Sequence, residues 1–527
     1  MGAALRSWLF TTDHKRVGIL YLIGSLAAFA IAGIMAMLMR IELTAIGPDL
    51  TDNPQQYNVW LYFHGAAMIL GFQIPALTGF LANYCVPLMI GARDVAFPRL
   101  NALSVWLFWA GILLALATFV IPDPPDVMWT GYPPYATRTW GNTAFYSFTV
   151  LLLGFSSILG GVNFLTTVFY MRAPGMGWNK LNIFVWSIVV AFIIQLIFVP
   201  VLGTAVTMLL FDKYLGTTFF DPANGGDVLI YQNLFWFYSH PAVYVILLPF
   251  LGITYEIVAT FARNRVFNYK MVVYGGFGGV LLLAGEVWVH HLYTAGLPDW
   301  LRVGQMVTTL LISVPVGLLM IGLVGTLYRG SIEYRTPMLY ALGVIFFFLI
   351  GGLTGIPNAI ASLDLHLQDT YFIPGHFHYV MAVAGTFAIF GAVYYLFPKM
   401  TGRMYHESTG KLGFWLTFIG MNLVFMPMMM AGIEGMPRRY YDYAQFPQVE
   451  GLQQLMTFGA FVILAGSLVT LWNWVQGALR GAPAPANPWG SRSLEWTAAP
   501  SPPPPGNFPQ PPRLGPEWSP YAYGERA

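Results

Sequence analysis

Long apolar stretches recur along this 527-residue chain, and short polar connections separate them. A helix that crosses a bilayer needs about 20 mostly apolar residues, and about twelve stretches reach that length. The pattern therefore predicts an all-α polytopic membrane bundle. The predicted spans lie near 15–40, 60–88, 102–122, 145–172, 183–211, 228–262, 271–293, 303–328, 337–357, 375–397, 412–432 and 453–479.

The composition supports the same class of protein. Charged residues make up 9% of the chain and hydrophobic residues 57%, whereas a soluble domain carries about 25% charged residues. An ordinary soluble protein is therefore excluded. The single cysteine, Cys85, excludes a disulfide framework and a multi-cysteine metal site within this chain.

Most lysines and arginines fall in alternate connections between the predicted spans. By the positive-inside rule these connections face the cytoplasm of a cell inner (plasma) membrane, and an even number of spans puts both termini there. The orienting residues are Arg93, Arg99, Arg172, Lys180, Arg263, Arg265, Lys270, Arg329, Arg335, Lys399, Arg403 and Lys411.

The character of the chain changes at about residue 481. The segments "APAPANPWG" and "SPPPPGNFPQPP" are too rich in proline to form helices. We therefore expect a twelve-helix catalytic domain over 1–480 and a Pro-rich cytoplasmic tail over 481–527. The tail is expected to lie extended on the bundle or on a partner.

Six of the nine histidines lie in apolar stretches. An ionisable side chain inside a bilayer is costly and usually marks a functional site. Imidazole also binds copper and haem iron well. The pattern indicates buried metals held by His64, His240, His290, His291, His376 and His378.

The motif "GHFHYV" places His376 and His378 two residues apart on a helix. At about 100° per residue the two side chains point about 200° apart, so they would bind two different metals on opposite faces. Two haems flanking one helix fit this better than one shared metal, and two structural core histidines are the alternative. His64 stands alone and becomes a ligand only as the partner of one of these two in a bis-imidazole haem.

The motif "YSHPAVY" places His240 and Tyr244 four residues apart, on one helix face. In "GEVWVHHLYTAG", His290 and His291 are adjacent. With His240 they could form a three-imidazole site, which suits copper and leaves a position open for a small ligand. Glu286 lies one turn before His290 and is expected to face the same site.

Paired guanidiniums in "GMPRRY" suit the carboxylates of haem propionates. Arg438 and Arg439 are the pair, and two arginines that snorkel at the membrane interface are the alternative.

Taken together and in this order, the motifs resemble subunit I of the haem-copper oxygen reductases, within the A family of cytochrome c oxidases. The resemblance runs along nearly the whole chain, from "TTDHKRVGILYLIG" through "VPLMIGARDVAFPRLN", "HPAVY", "VWVHHLYTAG", "DTYFIPGHFHYVMA" and "GMPRRY" to "NPWGSRSLEWT". Seven motifs in register are highly specific.

The resemblance implies a role for each histidine. His64 and His378 resemble the axial ligands of a low-spin haem, and His376 resembles the proximal ligand of a high-spin haem. The ligands of the copper called CuB are matched by His240, His290 and His291.

Other side chains take supporting roles by the same resemblance. Tyr244 resembles the tyrosine that is cross-linked to His240 and supplies an electron and a proton for O–O cleavage. Arg438 and Arg439 match the propionate-binding pair, and Arg40 matches an arginine near a ring substituent of the low-spin haem.

The resemblance also implies a proton path, with one departure. The entrance and neck of the D proton channel are matched by Asp94, Asn83 and Asn101. The glutamate of the family's common HPEVY motif is replaced by Ala242. Tyr238 and Ser239 resemble the branch that uses a Tyr-Ser pair instead, with which the D channel can still work.

Three further departures concern protons and metals. Asp369 matches one ligand of a magnesium site, but the neighbouring ligand histidine is replaced by Gln368, with His366 near. Glu286 is an additional acid close to CuB. The K-channel motif IPTGxK lacks its threonine and its lysine, whose positions hold Val316 and Leu319, so the usual proton route is in doubt.

The function implied is that of a terminal respiratory oxidase, a cytochrome c oxidase. Electrons would pass from cytochrome c through CuA on subunit II to the low-spin haem and on to the haem–CuB site, where dioxygen becomes water and protons are pumped. Two haems, expected to be of the a type, and copper are the implied cofactors. This chain has no cysteine pair for CuA, so subunit II is required. Subunit III, small subunits and membrane lipid are expected, with a docked quinol-oxidising complex as the alternative electron donor and no nucleic acid.

The alternative function is nitric oxide reduction within the same superfamily. Glu286 and Leu319 favour it, because such enzymes carry a glutamate near the non-haem metal and need no K channel. Tyr244 in an intact HPxVY motif opposes it. A polytopic transporter would leave the histidine and arginine motifs unexplained.

Overall fold

The protein, seen in a computed structural model, is described over residues 2–523, without the side chains of residues 3 and 4. The last residues of the predicted tail, 524–527, lie outside the described residues. Eleven of the described helices are long and apolar enough to cross a membrane, and one shorter apolar helix joins them. In chain order they are α1 (His14–Glu42), α2 (Pro54–Met89), α3 (Pro98–Ala117), α4 (Thr143–Tyr170), α5 (Ile183–Leu215), α6 (Val228–Ala262), α7 (Met271–Leu283), α8 (Asp299–Leu327), α9 (Thr336–Ala359), α10 (Phe372–Thr401), α11 (Glu407–Ile433) and α12 (Pro447–Arg480).

The helical membrane bundle confirms the predicted fold class. Consecutive helices pack side by side, most extensively α5 with α6 and α11 with α12. Short connections between long helices make antiparallel neighbours the natural arrangement. Many large apolar side chains are left on the outer surfaces of the helices, which suits a bundle whose solvent is lipid.

The predicted span 271–293 differs from the structure. α7 ends at Leu283, and the chain then turns and forms a short 3-10 helix over Trp288–Leu292. At the turn the backbone passes close to α5, where an added Cβ on Gly285 would lie 2.7 Å from the Phe198 ring. Hydropathy alone does not reveal such a break, because the residues on both sides of the turn remain apolar.

Two helices form the centre of the bundle. The most apolar window of α6 is 94% buried and that of α10 is 89% buried, against 33% for α1. α6 carries His240 and Tyr244, and α10 carries His376 and His378. The packing therefore places four predicted site residues at the protein interior and away from lipid.

Three π-helical stretches interrupt the helices that carry haem-ligand candidates. They lie at Ala67–Gln73 and Pro75–Leu81 in α2 and at His378–Val383 in α10. Such π-turns are rare and occur frequently at functional sites, because they displace the helix from its regular register. One begins just after His64 and another begins at His378 itself.

The tail lies against the end of the bundle that carries the N-terminus of α1. Asn507 accepts hydrogen bonds from Lys15 Nζ at 2.8 Å and pairs with His14 Nε2 at 2.9 Å. The Tyr521 hydroxyl donates to Glu256 Oε1 on α6 at 2.6 Å. The described part of the tail is therefore packed on its own bundle, at the same end as the first helix.

Candidate functional site

Three imidazoles converge at the centre of the bundle. His240 projects from α6, and His290 and His291 lie on the short 3-10 helix beyond α7. One ligand nitrogen from each of the three lies within 4.8 Å of the others, and His240 Nδ1 is 3.1 Å from His291 Nε2. The break after α7 thus delivers two adjacent histidines to the face of α6.

The three imidazoles fit a bound copper ion. Nε2 of His240 is buried and has no hydrogen-bond partner among the described residues, which leaves it available as a ligand. His290 Nδ1 instead lies 3.2 Å from Thr309 Oγ1, a contact that fixes the ring. Trp236 stacks on His291 with ring centroids 3.7 Å apart. Three nitrogen donors without a carboxylate or thiolate suit copper.

Tyr244 lies next to the imidazole cluster, one turn further along α6. Its ring centroid is 4.9 Å from that of His240, and its side chain is buried. The i, i+4 spacing on α6 places the phenol beside the predicted ligand, as expected from the sequence.

His64 and His378 face each other across a gap that fits a bis-imidazole haem. Their rings are nearly parallel, at 11°, with centroids 6.2 Å apart. A metal held between two coaxial imidazoles at about 2 Å from each nitrogen requires a centroid separation of about 6 Å. His64 Nδ1 lies 3.0 Å from the Ala32 carbonyl and His378 Nδ1 lies 2.6 Å from that of Pro374. Both Nε2 atoms are thereby left for ligation.

His376 contacts a different helix from His378. Its Nδ1 lies 3.1 Å from Thr354 Oγ1 on α9, and an added Cβ on Gly355 would come within 3.0 Å of its ring. His378 instead stacks on Phe425 of α11. The two histidines therefore face opposite sides of α10, as their spacing predicts, and the lack of a side chain at Gly355 leaves room for the His376 ring.

Arg438 and Arg439 lie in the connection between α11 and α12. Arg438 donates to Asp369 through Nε at 2.8 Å, and its backbone N–H binds the Asp369 carbonyl at 2.8 Å. Burial lowers the pKa of Arg439 to about 10, and the neighbouring Arg438 contributes. A half-buried guanidinium beside a second cation favours an anionic ligand such as a carboxylate.

Asp364 is a site residue that the sequence analysis missed. It is 1% exposed, and neither carboxylate oxygen has a hydrogen-bond partner among the described residues. Burial, assisted by Asp369 and opposed by Arg438, raises its pKa to about 7. The only sequence signal was an acid in the apolar segment "IASLDLHL", which does not indicate that the side chain turns inward.

The predicted magnesium ligand Asp369 is engaged by Arg438. Gln368 donates its side-chain amide to the His291 carbonyl at 3.1 Å, and His366 is exposed. In the part of the chain that the structure describes, the one group of three or more potential metal-binding side chains is the histidine cluster. The residues around Asp369 therefore do not form a magnesium site by themselves.

Arg40 is buried at the end of α1 against α12. Its Nη2 donates to Gln453 Oε1 at 2.6 Å and to the Leu43 carbonyl at 3.4 Å. Eight residues earlier on the same helix, the Ala32 carbonyl contacts His64. At 1.5 Å per residue the arginine lies about 12 Å along the helix from that contact.

A polar path begins at the tail-covered end of the bundle. Asn101 Nδ2 donates to Asn83 Oδ1 at 2.6 Å, and Asp94 lies in the adjoining loop, where burial raises the pKa of its carboxyl. The Tyr21 hydroxyl lies 3.0 Å from both Ser104 Oγ and Ser156 Oγ. Tyr21, Ser104 and Ser156 line a cavity that Asn83 also reaches, and Thr78, Ser157 and Phe192 form other parts of its wall.

Tyr238 and Ser239 are buried on α6, just before His240. The Ser239 hydroxyl has no partner among the described residues. The cavity and this pair are therefore two separate polar regions in the interior of the bundle. Tyr21, Ser104 and Ser156 were not singled out from the sequence, although isolated polar residues in apolar helices were a usable signal.

Leu319, at the position of the missing K-channel lysine, is tightly packed by its neighbours. Leu319 is fully buried on α8, and the Tyr255 hydroxyl donates to its backbone carbonyl. An added Cβ on Gly276 would collide with the Leu319 side chain. Apolar packing and one phenol therefore occupy the region around this position.

The expectation that Glu286 faces the site is wrong. Its side chain is exposed, and its backbone carbonyl accepts a hydrogen bond from Thr308. The expectation assumed a continuous helix through His290, but α7 ends at Leu283 and the turn directs residue 286 outwards.

A family model described as cytochrome c and quinol oxidase polypeptide I matches residues 16–462. Cytochrome c oxidase subunit 1 of Synechocystis sp. is 43% identical over 98% of this chain and 92% of that protein. The subunit of the same name from Thermostichus vulcanus is 43% identical over 94% of this chain and 89% of that protein. The solved structure of a haem-copper terminal oxidase dimer superposes with a TM-score of 0.77 at 18% identity, covering 89% of this chain and 84% of that one.

The chain belongs to the family of cytochrome c and quinol oxidase polypeptide I. It is the catalytic subunit of a terminal oxidase, a multi-pass membrane oxidoreductase that carries haem and copper and works in a multi-subunit complex with a subunit II. The comparisons give no support to the alternative of nitric oxide reduction.

Proposed function

We propose that the chain reduces dioxygen to water at a site formed by His240, His290, His291 and Tyr244. The convergence of three imidazoles next to a buried phenol supports this proposal most directly. Copper would be held by the three imidazoles. When bound, copper and the haems supply the redox chemistry, while the protein supplies orientation, access and protons.

We assign the haem ligands by the contacts described above. His376 would hold the high-spin haem, and His64 with His378 would hold the low-spin haem; both are proposed to be of the a type. The carbonyl partners of His64 and His378 orient the rings, and Thr354 does so for His376. Such outer contacts fix the tautomer and direct Nε2 to the metal.

The protein's own groups would provide the last proton and bind the propionates. From its position beside His240, Tyr244 would supply a proton and an electron for the reduction of dioxygen. Arg438 and Arg439 would bind propionates by charge-assisted hydrogen bonds. Asp364, with its unpartnered oxygens, is well placed to share a proton with such a carboxylate.

Protons are proposed to enter through Asp94 and the Asn83–Asn101 neck. The hydrogen-bonded cavity above this neck supports the route, and the packing around Leu319 argues against one through α8. The same route would carry the translocated protons.

We propose that the chain lies in the plasma membrane with both termini in the cytoplasm. The contacts of Asn507 with His14 and Lys15 keep the tail and the first helix at one end of the bundle. The division into a catalytic domain over 1–480 and a tail over 481–527 follows the end of α12 at Arg480.

Cytochrome c, or a docked quinol-oxidising complex, is the proposed donor through CuA on subunit II, with subunit III and small subunits in the complex. A magnesium ion at Asp369 would need further ligands and the release of Arg438.

The test is turnover of the purified complex with reduced cytochrome c, measured with dioxygen in one cell and nitric oxide in another. We expect fast dioxygen consumption and slow nitric oxide turnover. Replacement Tyr244→Phe should lower dioxygen turnover by at least about 100-fold, because a positioned proton donor contributes 10² to 10⁴. Haem spectra serve as the control for assembly. Fast nitric oxide turnover, or a Tyr244→Phe variant with wild-type oxygen consumption, would refute the assignment.

A further inference from the structure

One polar side chain at the centre of the bundle has no role in the site described so far. Gln195 lies in the middle of α5 and is 2% exposed. Its Oε1 has no hydrogen-bond partner among the described residues. Leaving a buried amide oxygen unpaired costs about 1–3 kcal/mol. Because no described protein group satisfies this oxygen, the amide calls for a partner that is not a protein group.

The position of Gln195 along α5 connects two regions. One turn before it, Phe192 lines the cavity that contains Ser156 and Ser157. One turn after it, Phe198 packs on Phe237 with ring centroids 5.2 Å apart. Three residues along a helix advance about 4.5 Å. Gln195 therefore lies between the polar cavity and the segment of α6 that leads to the histidine cluster.

The facing segment of α6 also has a polar atom without a described partner. Phe237 directly precedes Tyr238 and Ser239, and the buried Ser239 hydroxyl has no partner among the described residues. Three residues later Ala242 offers only a methyl group. Two polar groups without a described partner, Gln195 Oε1 on α5 and the Ser239 hydroxyl on α6, thus lie on neighbouring helices between the cavity and the histidine cluster.

We propose that Gln195 is a positioning residue whose carboxamide binds water and so joins the cavity to the Ser239 hydroxyl in one hydrogen-bonded proton path. A buried water makes about three hydrogen bonds, and an amide offers both an acceptor and two donors. The amide does not titrate; it orients the waters that carry the proton. This inference rests on the proposed entry of protons through Asp94 and the Asn83–Asn101 neck.

A purely structural role would be an interhelical hydrogen bond, which polar side chains often make in membrane bundles. Among the described residues, no group on the neighbouring helices donates to Oε1 of Gln195, so an interhelical hydrogen bond does not account for this oxygen. By contrast, the side-chain oxygen of Asn163 on α4 is paired, because it accepts a hydrogen bond from the Phe97 backbone N–H at 2.8 Å.

The experiment compares proton uptake and dioxygen turnover in the intact complex carrying Gln195→Met, Gln195→Ser or Gln195→Ala. Met keeps the volume of the side chain but removes the polar atoms. Ser and Ala differ by one hydroxyl and both leave room for water. Thr204→Val, on the exposed side of the same helix, is the matched control.

We expect Gln195→Met to slow proton uptake about 10- to 100-fold, because misplacing a reacting group by about 1 Å can cost 100-fold. Its haem spectra and its electron transfer from cytochrome c to the low-spin haem should be unchanged. The Ser variant should take up protons faster than the Ala variant, and the rate of the Met variant should fall more steeply with rising pH than the wild-type rate.

Wild-type uptake in Gln195→Met with intact haem spectra would overturn the inference. If the Met variant does not assemble, equal uptake by the Ser and Ala variants would overturn it. Failure of the underlying proton route gives a different result: Asp94→Asn would then leave uptake at the wild-type rate, whatever the Gln195 variants do.

Discussion

Glu495 in the tail is predicted to make docking of the tail depend on pH. It is fully buried and accepts a hydrogen bond from Ser493. Asn182 Nδ2 donates both to Ser493 Oγ and to Glu256 Oε2, each at 2.9 Å. Two buried carboxyl groups are thereby linked across the contact between tail and bundle.

The magnitude follows from the proton affinity of Glu495. Burial raises its pKa from 4.5 to about 7, with Glu256 acting in the same direction and Ser493 and Lys399 opposing. At about 1.4 kcal/mol per pH unit, this pKa shift corresponds to about 3 kcal/mol in the free energy of tail docking. Because the docked carboxyl has the raised pKa, the stabilisation is complete below about pH 4.5 and is lost as pH rises through about 7.

The assay is hydrogen exchange of tail peptides from 481–523 in the intact complex, corrected for the intrinsic effect of pH. With pKa values of 4.5 undocked and about 7 docked, the opening equilibrium should increase about 25-fold between pH 5.5 and 8. Glu495→Gln keeps a neutral side chain of the same shape and should remove most of this dependence. Glu517→Gln, an exposed change in the same tail, is the control and should keep it.

Two results would refute this reasoning. Tail protection that is independent of pH in the wild type would mean that Glu495 does not hold a proton in the docked state. An equally steep dependence in Glu495→Gln would mean that another group carries it.

Two further predictions concern the site itself. Gly355→Val should reduce the high-spin haem content by more than half, because an added Cβ lies 3.0 Å from the His376 ring. The carbon monoxide difference spectrum measures the haem content. The control is Gly352→Val, whose added Cβ meets nothing within 4 Å and which should retain the haem. Equal haem in both variants would show that His376 needs no such space. Glu286→Gln should change dioxygen turnover by less than about twofold, since its side chain is exposed and substitutions away from buried features are usually mild. A tenfold loss of turnover, measured with an oxygen electrode, would contradict this prediction and show that Glu286 acts in the site.

The sequence by itself determined the features that depend on local spacing and composition. Apolar length predicted the membrane spans apart from 271–293, because each helix must satisfy its backbone groups internally. Helical periodicity predicted that His376 and His378 face opposite sides of α10 and that Tyr244 lies beside His240. The motifs in register predicted the family, which the comparisons confirm.

Only the tertiary structure decided what depends on contacts between distant segments. The end of α7 at Leu283 brings His290 and His291 to α6 and turns Glu286 outwards. Asp364 and Gln195 are ordinary polar residues in the sequence, and only the fold shows that they are buried with oxygen atoms that have no partner among the described residues. Packing against non-local neighbours sets these positions, and periodicity along one helix carries no information about such neighbours.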